Sequence, residues 1–372
     1  MHVLVVPDKF KGSLTAQEAA EAIRAGLHRN HPDWTVTIQP IADGGEGTAA
    51  LLTNATLGTF RSCTVADPLG RPVTASYGLS GDGKTAFVEL AEASGLHLLT
   101  YAERDPLYTS TFGTGKLLHN ALSTGVTELV LCIGGSATND AGIGIAAALG
   151  FQFLDGHDQP LFPSGNNLIR IARIDRTNVV PTLRQVRIRV ACDVTNPLYG
   201  PTGAAYVYGP QKGANATAQR KLDDGLRHIA SISEQNGDLS VAQEPGSGAA
   251  GGVGFGARIF LQAQLEPGFA LVAHYTGLTK AIEQADLIIT GEGKLDTQTL
   301  HGKAIRGIAE LATAAGKPVV VFCGKLALNQ VQIQQLGLQQ AIQISPSHVA
   351  VNEAQRQAAT LLSDAVATTY PV

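Results

Sequence analysis

The sequence is short of charge. Lys, Arg, Asp and Glu make up 16% of its 372 residues, against about a quarter in an average soluble domain. The 27 basic and 31 acidic residues leave a net charge of −4. No run of Lys and Arg exists that could track a phosphate backbone, so nucleic acid is not an expected partner. Long apolar runs are lacking too, and none approaches the roughly 20 residues that span a bilayer, so no membrane association is expected. The opening Met1-His2-Val3-Leu4-Val5-Val6 is too short for a signal-peptide apolar region and is expected to form a first strand. Cysteine is sparse, with Cys63, Cys132, Cys192 and Cys323 widely scattered and no C-x-x-C. Each sits in or beside an apolar run, which predicts buried reduced thiols in a cytoplasmic protein. Ten His include no H-E-x-x-H and no Cys/His cluster, so a dedicated zinc site is not expected. His28 and His31 are read as the solvated end of the first helix.

Glycine is plentiful: 42 residues, with no G-X-Y period and only 17 Pro, which excludes collagen. An apolar fraction of 44% supplies a packed core, and the length favours two domains. Short β-branched runs alternate with Ala/Leu-rich helical patterns, an α/β signature. Strands are expected at Val3–Val6, Val36–Gln39, Leu129–Ile133, Asp286–Thr290, Val319–Phe322 and Gln340–Ile344, in continuous apolar runs that suit parallel strands covered on both faces. Thr15 and Glu18 have capping-box spacing ahead of the stripe Ala16, Ala20, Ile23, Leu27. Further helices are expected at Gly302–Ala315 and Ala350–Thr368. The middle is denser in strands: Phe60–Val65, Val73–Leu79, Thr85–Leu90, Phe151–Leu154, Val186–Ala191 and Ala204–Tyr208. The expectation is a discontinuous Rossmann/flavodoxin-like α/β domain with a parallel sheet, residues 1–60 and 281–372. A second α/β domain, residues 61–280, is inserted into it.

The glycines cluster where apolar strands run into polar turns: Asp43-Gly44-Gly45-Glu46-Gly47, Gly134-Gly135-Ser136-Ala137-Thr138-Asn139-Asp140, and Gly291-Glu292-Gly293-Lys294-Leu295-Asp296. In open α/β sheets, ligands bind at the carboxyl ends of strands. Glycine lets backbone N–H groups approach such a ligand, and a following helix N-terminus favours an anion. No G-x-x-x-x-G-K-[ST] occurs, so the phosphate loop of that type is absent. Gly246-Ser247-Gly248-Ala249-Ala250-Gly251 matches G-x-G-x-x-G, but the preceding Gln243-Glu244-Pro245 is turn-like, and a nicotinamide-dependent dehydrogenase of hydroxy acids stays open on this motif alone. Asp8, Asp43, Glu46, Asp140, Asp193, Glu292 and Asp296 stand at or just past expected strand ends, with Lys9, Lys11, Lys212, Lys294 and Lys303 nearby. Such carboxylates can orient a hydroxyl, take its proton or hold Mg²⁺, and the lysines can hold anionic oxygens. The pattern suggests a phosphate-bearing anionic ligand with a metal.

Several motifs in order resemble the bacterial glycerate kinase family. They are Pro7-Asp8-Lys9-Phe10-Lys11-Gly12-Ser13-Leu14, Ala42-Asp43-Gly44-Gly45-Glu46-Gly47-Thr48, Gly134–Asp140, Cys192-Asp193-Val194-Thr195-Asn196-Pro197-Leu198, Gly209-Pro210-Gln211-Lys212-Gly213, Gly248–Gly252 and Gly291–Asp296. The likeness runs from residue 3 to about residue 326. The departures are Lys9 where Ser is expected, Ala141 where a second Gly is usual, Lys294 where Arg is common and Lys325 where a small residue is common. The resemblance implies ATP-dependent phosphorylation of D-glycerate with Mg²⁺, most naturally at the 2-hydroxyl. It also implies two α/β domains with the active site in a cleft.

Phosphoryl transfer needs positioning and charge neutralisation more than covalent chemistry. Asp193 is the first choice to orient the attacking hydroxyl, with Asp8 and Lys11 as further catalytic candidates. Ser13, Asp43, Gly44, Gly45, Glu46, Gly134, Gly135, Ser136, Thr138, Asn139, Thr195, Asn196, Lys212, Gly291 and Lys303 are candidates for substrate or phosphate contact. Asp296 and Glu292 are the metal candidates. A glycerate 3-kinase, a kinase of another small hydroxy acid, or a binding protein without turnover stay open beside this reading.

Overall fold

The computed structural model describes residues 1–39, 41, 44–297, 299, 304–346 and 349–371. Asp43 and Lys303, both candidate contacts, lie outside the described residues. The chain is α/β and separates into two compact units, Met1–Asp43 with Phe269–Val372, and Gly44–Gly268. The seams thus stand at 43/44 and 268/269, against 60/61 and 280/281 in the sequence reading.

The first unit is built on a five-stranded sheet. Its order is Gln340–Gln343, Val319–Leu326, Leu287–Leu295, His2–Val5 and Thr35–Ile38, and every pairing is parallel. Val3, Leu4 and Val5 are all fully buried, as a strand covered on both faces requires. The helix Ala16–Asn30 begins with the expected capping box between Thr15 and Glu18 and buries Ala19, Ala20, Ile23 and Leu27. At its end His28 is exposed, while His31 stacks on Trp34 at 3.9 Å. The C-terminal helical pattern divides at Gln357 into Val351–Arg356 and Ala358–Thr369. One strand is longer than its apolar run. Gly291–Leu295, expected as a turn, continues the strand and pairs with Phe322–Leu326. Backbone pairing to a long neighbour decides its length, and the apolar run does not.

The second unit carries a six-stranded sheet in the order Gln264–Glu266, Arg187–Ala191, Glu128–Cys132, Thr85–Glu89, Pro72–Leu79 and Thr59–Ala66. The first four strands are parallel and the last two antiparallel. Gln152–Leu154 pairs separately with Arg173–Asp175. Ala204–Tyr208 is a short helix, not the expected strand. Its turn is closed by Val207 N–H to Gly203 O and Gly209 N–H to Ala205 O, both at 3.1 Å. All four cysteines are free; Cys132 and Cys323 are buried, whereas Cys63 and Cys192 are only partly covered. No helix among the described residues is long and apolar enough to cross a membrane.

Candidate functional sites at the carboxyl ends of the two sheets

In the second unit, Thr85–Glu89, Glu128–Cys132 and Arg187–Ala191 are adjacent parallel strands. Their carboxyl ends lead into Glu89, the Gly134–Asp140 turn and the Asp193–Asn196 turn. The Gly44–Gly45 segment touches two of these. Gly44 is left-handed at φ +85°, and a Cβ there would stand 2.9 Å from Gly268 Cα, 3.1 Å from Ala191 Cβ and 3.4 Å from Asp193 Oδ2. A Cβ on Gly134 would stand 3.0 Å from Gly45 Cα. Glycine at these places lets three turns pack backbone to backbone. Asp193 is exposed, and its Oδ1 accepts the Gly268 N–H at 2.9 Å. An accessible carboxylate with one oxygen held by a backbone donor is oriented for proton or hydroxyl chemistry. Glu46, on the same segment, is also exposed.

Glu89 is a member of this group that sequence reasoning missed. Its Oε1 accepts the Ala49 N–H at 2.9 Å, in the first turn of the helix Thr48–Ala55. Burial pushes its carboxyl up, opposed by the Ala49 and Gly47 N–H groups. The available signal was an acid ending the apolar run Thr85–Val88. Its contact ties the helix that follows Gly44–Gly47 to the central sheet.

The Gly134–Asp140 turn is fastened by Leu96 N–H to Gly135 O at 2.8 Å and Ala137 N–H to Ser94 O at 2.9 Å. Beneath it, the Lys212 side chain is buried and its Nζ donates to Ser136 Oγ and Thr138 O, both at 2.7 Å. Burial pushes the Lys212 amine down to about 7, against the opposing pull of Asp140. Asp140 itself is wholly buried and accepts from Thr111 N, Thr111 Oγ1, Gly142 N and Gly144 N. It clamps the starts of two helices, so it is not an acid that faces ligand. Burial pushes its carboxyl up, and the bonds from Thr111, Gly142 and Gly144 oppose this. Thr138 Oγ1 and both amide atoms of Asn139 are buried without a hydrogen-bond partner among the described residues. Thr195 is exposed. Asn196 is committed to the protein: its Nδ2 donates to Thr202 O at 2.8 Å and its Oδ1 accepts from Tyr208 Oη at 2.6 Å.

The G-x-G-x-x-G segment serves this turn. It follows turns, not a strand, so the dinucleotide fingerprint lacks its βαβ setting. A Cβ on Gly251 (φ +73°) would stand 2.0 Å from Thr138 O, and one on Gly248 2.1 Å from Pro197 O. These glycines seat one loop on the other two. Ala141, where the resemblance led us to expect Gly, is left-handed at φ +54°, and its N–H donates to Gly251 O at 3.1 Å. The backbone there keeps the conformation that favours glycine.

In the first unit, pairing continues past the end of strand His2–Val5, with Asp8 N–H donating to Gly291 O at 2.9 Å. Asp8 Oδ1 accepts the Lys9 N–H at 2.7 Å. Ser13 closes a tight turn through N–H to Phe10 O at 2.8 Å and Oγ to Phe10 O at 3.0 Å. Lys9 and Lys11 are exposed, and a Cβ on Gly293 would stand 3.2 Å from Lys11 N. The loop therefore lies along the strand that carries Gly291 and Glu292. Glu292 is nearly buried and accepts from Thr299 Oγ1 at 2.8 Å. Thr299 N–H donates to Asp296 O at 2.9 Å, and Asp296 Oδ2 pairs with Lys294 Nζ at 2.7 Å. Burial and the Glu292 charge push the Cys323 thiol up to about 12. No group of three or more His, Cys, Asp and Glu that could hold a metal occurs among the described residues. Mg²⁺ commonly takes one or two carboxylates and completes its shell with substrate phosphates and water. The hard oxygens of Glu292 and Asp296 fit that mode.

The sequence candidates thus form two groups, one in each unit: Asp8, Lys11, Ser13, Gly291, Glu292 and Asp296 in the first, and Gly44, Gly45, Glu46, Gly134–Asn139, Asp193 and Lys212 in the second. Both groups gather about the carboxyl halves of parallel strands, the region where α/β proteins commonly bind small ligands. A family model described as the Glycerate kinase family matches residues 3–371. The chain is 45% identical over 363 residues to the glycerate kinase of Halalkalibacterium halodurans, covering 98% of this chain and 96% of that one. It is 42% identical over 358 residues to the glycerate 2-kinase of Escherichia coli, covering 96% and 94%. A solved structure described as a glycerate kinase 2 from Salmonella typhimurium LT2 superposes with a TM-score of 0.89 at 39% identity, covering 99% of this chain and 97% of that one. The chain belongs to the glycerate kinase family.

Proposed function

We propose that this protein phosphorylates D-glycerate with ATP at the 2-hydroxyl, giving 2-phosphoglycerate and ADP. The observation that carries the reading is Asp193: an exposed carboxylate at a parallel strand end, oriented by the Gly268 N–H and flanked by the Gly44 backbone. Family membership supports the substrate, and the likeness to a glycerate 2-kinase over 96% of the chain supports the position. In this reading Asp193 orients the 2-hydroxyl and accepts its proton as the oxygen bonds to the γ-phosphorus, while the bond from that phosphorus to the β–γ bridging oxygen breaks. Gly44, Gly45, Glu46, Thr195 and the Gly134–Asn139 turn offer contacts to the anionic oxygens of glycerate or of the nucleotide. In the first unit, Asp8, Lys11, Ser13 and Gly291 offer further contacts to anionic oxygens, and Glu292 and Asp296 would hold Mg²⁺, which would neutralise phosphate charge. The four free thiols support a cytoplasmic setting. The test is ADP release with D-glycerate, ATP and Mg²⁺, followed by ³¹P NMR of the product. A 3-phosphoglycerate signal would overturn the position, and absence of ADP release would overturn the reaction.

A further inference from the structure

We infer that Lys212 is a positioning residue that fixes the Ser136 hydroxyl as a hydrogen-bond donor to an anionic oxygen of the ligand. The inference deepens the kinase reading above and rests on it. A lysine amine donates from each of its hydrogens, and a hydroxyl has one hydrogen and two lone pairs. Once Ser136 Oγ accepts from Lys212 Nζ at 2.7 Å, its own hydrogen must find an acceptor elsewhere. Among the described residues Ser136 Oγ donates to no protein acceptor, and Thr138 O accepts from the same amine. Lys212 is 1% exposed and Thr138 and Asn139 are 0%, whereas Ser136 is 7% exposed. Ser136 is therefore the most accessible member of the group.

Three further features set the device in place. Lys212 ends the turn Pro210–Lys212, and Gly213 after it is left-handed with its Cβ position 2.0 Å from Arg104 O. The amine is thereby held below the Gly134–Asp140 turn. Its two bonds go to neutral oxygens, and the acid that acts on it, Asp140, is already occupied by four donors. The protonated amine has no lone pair, so in that form it can only donate to Ser136. Independently, Thr138 Oγ1 and the Asn139 amide are buried without partners among the described residues, a deficit that ligand oxygens or bridging water make good. The chemistry that fits is an oxyanion, either the carboxylate of the hydroxy acid or a phosphate oxygen of the nucleotide.

The test is calorimetric titration of D-glycerate and, separately, of ATP with Mg²⁺ into the full-length wild type, Ser136→Ala, Lys212→Met and the double variant. Circular dichroism verifies folding. Ser136→Ala and Lys212→Met are each expected to raise the Kd of one compound by about 10- to 100-fold, the scale of a hydrogen bond to a charged group, and to leave the other unchanged. The compound affected identifies carboxylate or phosphate. The double variant is expected to match Ser136→Ala, because Lys212 acts through that hydroxyl. Lys212→Gln, which keeps an N–H donor, is expected to bind within about threefold of wild type, and it replaces Lys212→Met if that variant does not fold. Multiplying losses in the double variant, unchanged Kd in Lys212→Met, or Lys212→Gln as weak as a donor-free variant would each overturn the inference. Wild-type binding without ADP release overturns the kinase reading alone; no binding of either compound overturns both.

Discussion

Replacing Lys212 by Met should change how stability depends on pH. The Lys212 amine is wholly buried, and burial lowers its pKa from 10.5 to about 7. Below about pH 7 the folded and unfolded chains both carry the proton, so the folded state bears the full cost of a buried ammonium. Between about pH 7 and 10.5 the unfolded chain binds the proton and the folded chain does not. Stability therefore rises with pH through this window. A shift of roughly three to four pH units at 1.36 kcal/mol each sets the scale at roughly 5 kcal/mol. Lys212→Met removes the titration and two hydrogen bonds, the latter a pH-independent loss of about 1–3 kcal/mol. The assay is urea unfolding of both proteins at several pH values from about 6.5 to 10. Groups common to the two proteins cancel in the difference. Expected is a variant that gains on the wild type at the low end of the range, with the gain shrinking by several kcal/mol toward the high end. A difference that stays flat across the range would refute the reasoning and leave Lys212 with an ordinary pKa.

Asp193→Asn should lower kcat by about 10²- to 10⁴-fold and leave the Kd of ATP within a few-fold of wild type; near-wild-type turnover removes Asp193 from the reaction. Asp296→Asn should raise the Mg²⁺ concentration for half-maximal activity by about tenfold, and an unchanged metal dependence removes Asp296 as a ligand. Gly251→Ala should cost about 3 kcal/mol or more in chemical unfolding, because its Cβ would meet Thr138 O at 2.0 Å in a left-handed backbone. Glu89→Ala should cost about 1–3 kcal/mol by stranding the Ala49 N–H; a neutral result would show that the contact is not formed in solution.

Much of the site was legible because chemistry and chain punctuation coincide. Asp193 and Ser136 follow short β-branched apolar runs read as strands, so their place at carboxyl ends follows from local pattern; Glu292 follows one too, but pairing with Cys323 keeps it inside its strand. Glu89 was not singled out, although it too closes an apolar run, because no glycine marks it; its contact is with a helix 40 positions earlier in the chain. Asp140 looked like another strand-end acid. Only packing shows that four donors enclose it. Ala204–Tyr208 reads as a strand from its Tyr and Val, yet its backbone closes on itself through Val207 N–H to Gly203 O and Gly209 N–H to Ala205 O, a helical turn.

The sequence by itself determined the α/β class, the parallel strands, the first helix with its capping box and the ordered motifs that place the chain in its family. These depend on period, caps and short motifs, which act over a few residues. Tertiary structure alone decided what the glycines are for. Gly44, Gly134 and the Gly248–Gly251 loop lie far apart in the chain, yet each of these glycines stands where a Cβ would press on another turn. It also decided that Lys212, a candidate ligand contact in the sequence, is a buried donor to Ser136. Burial and close backbone approach are properties of segments brought together from a distance, and no local pattern encodes them.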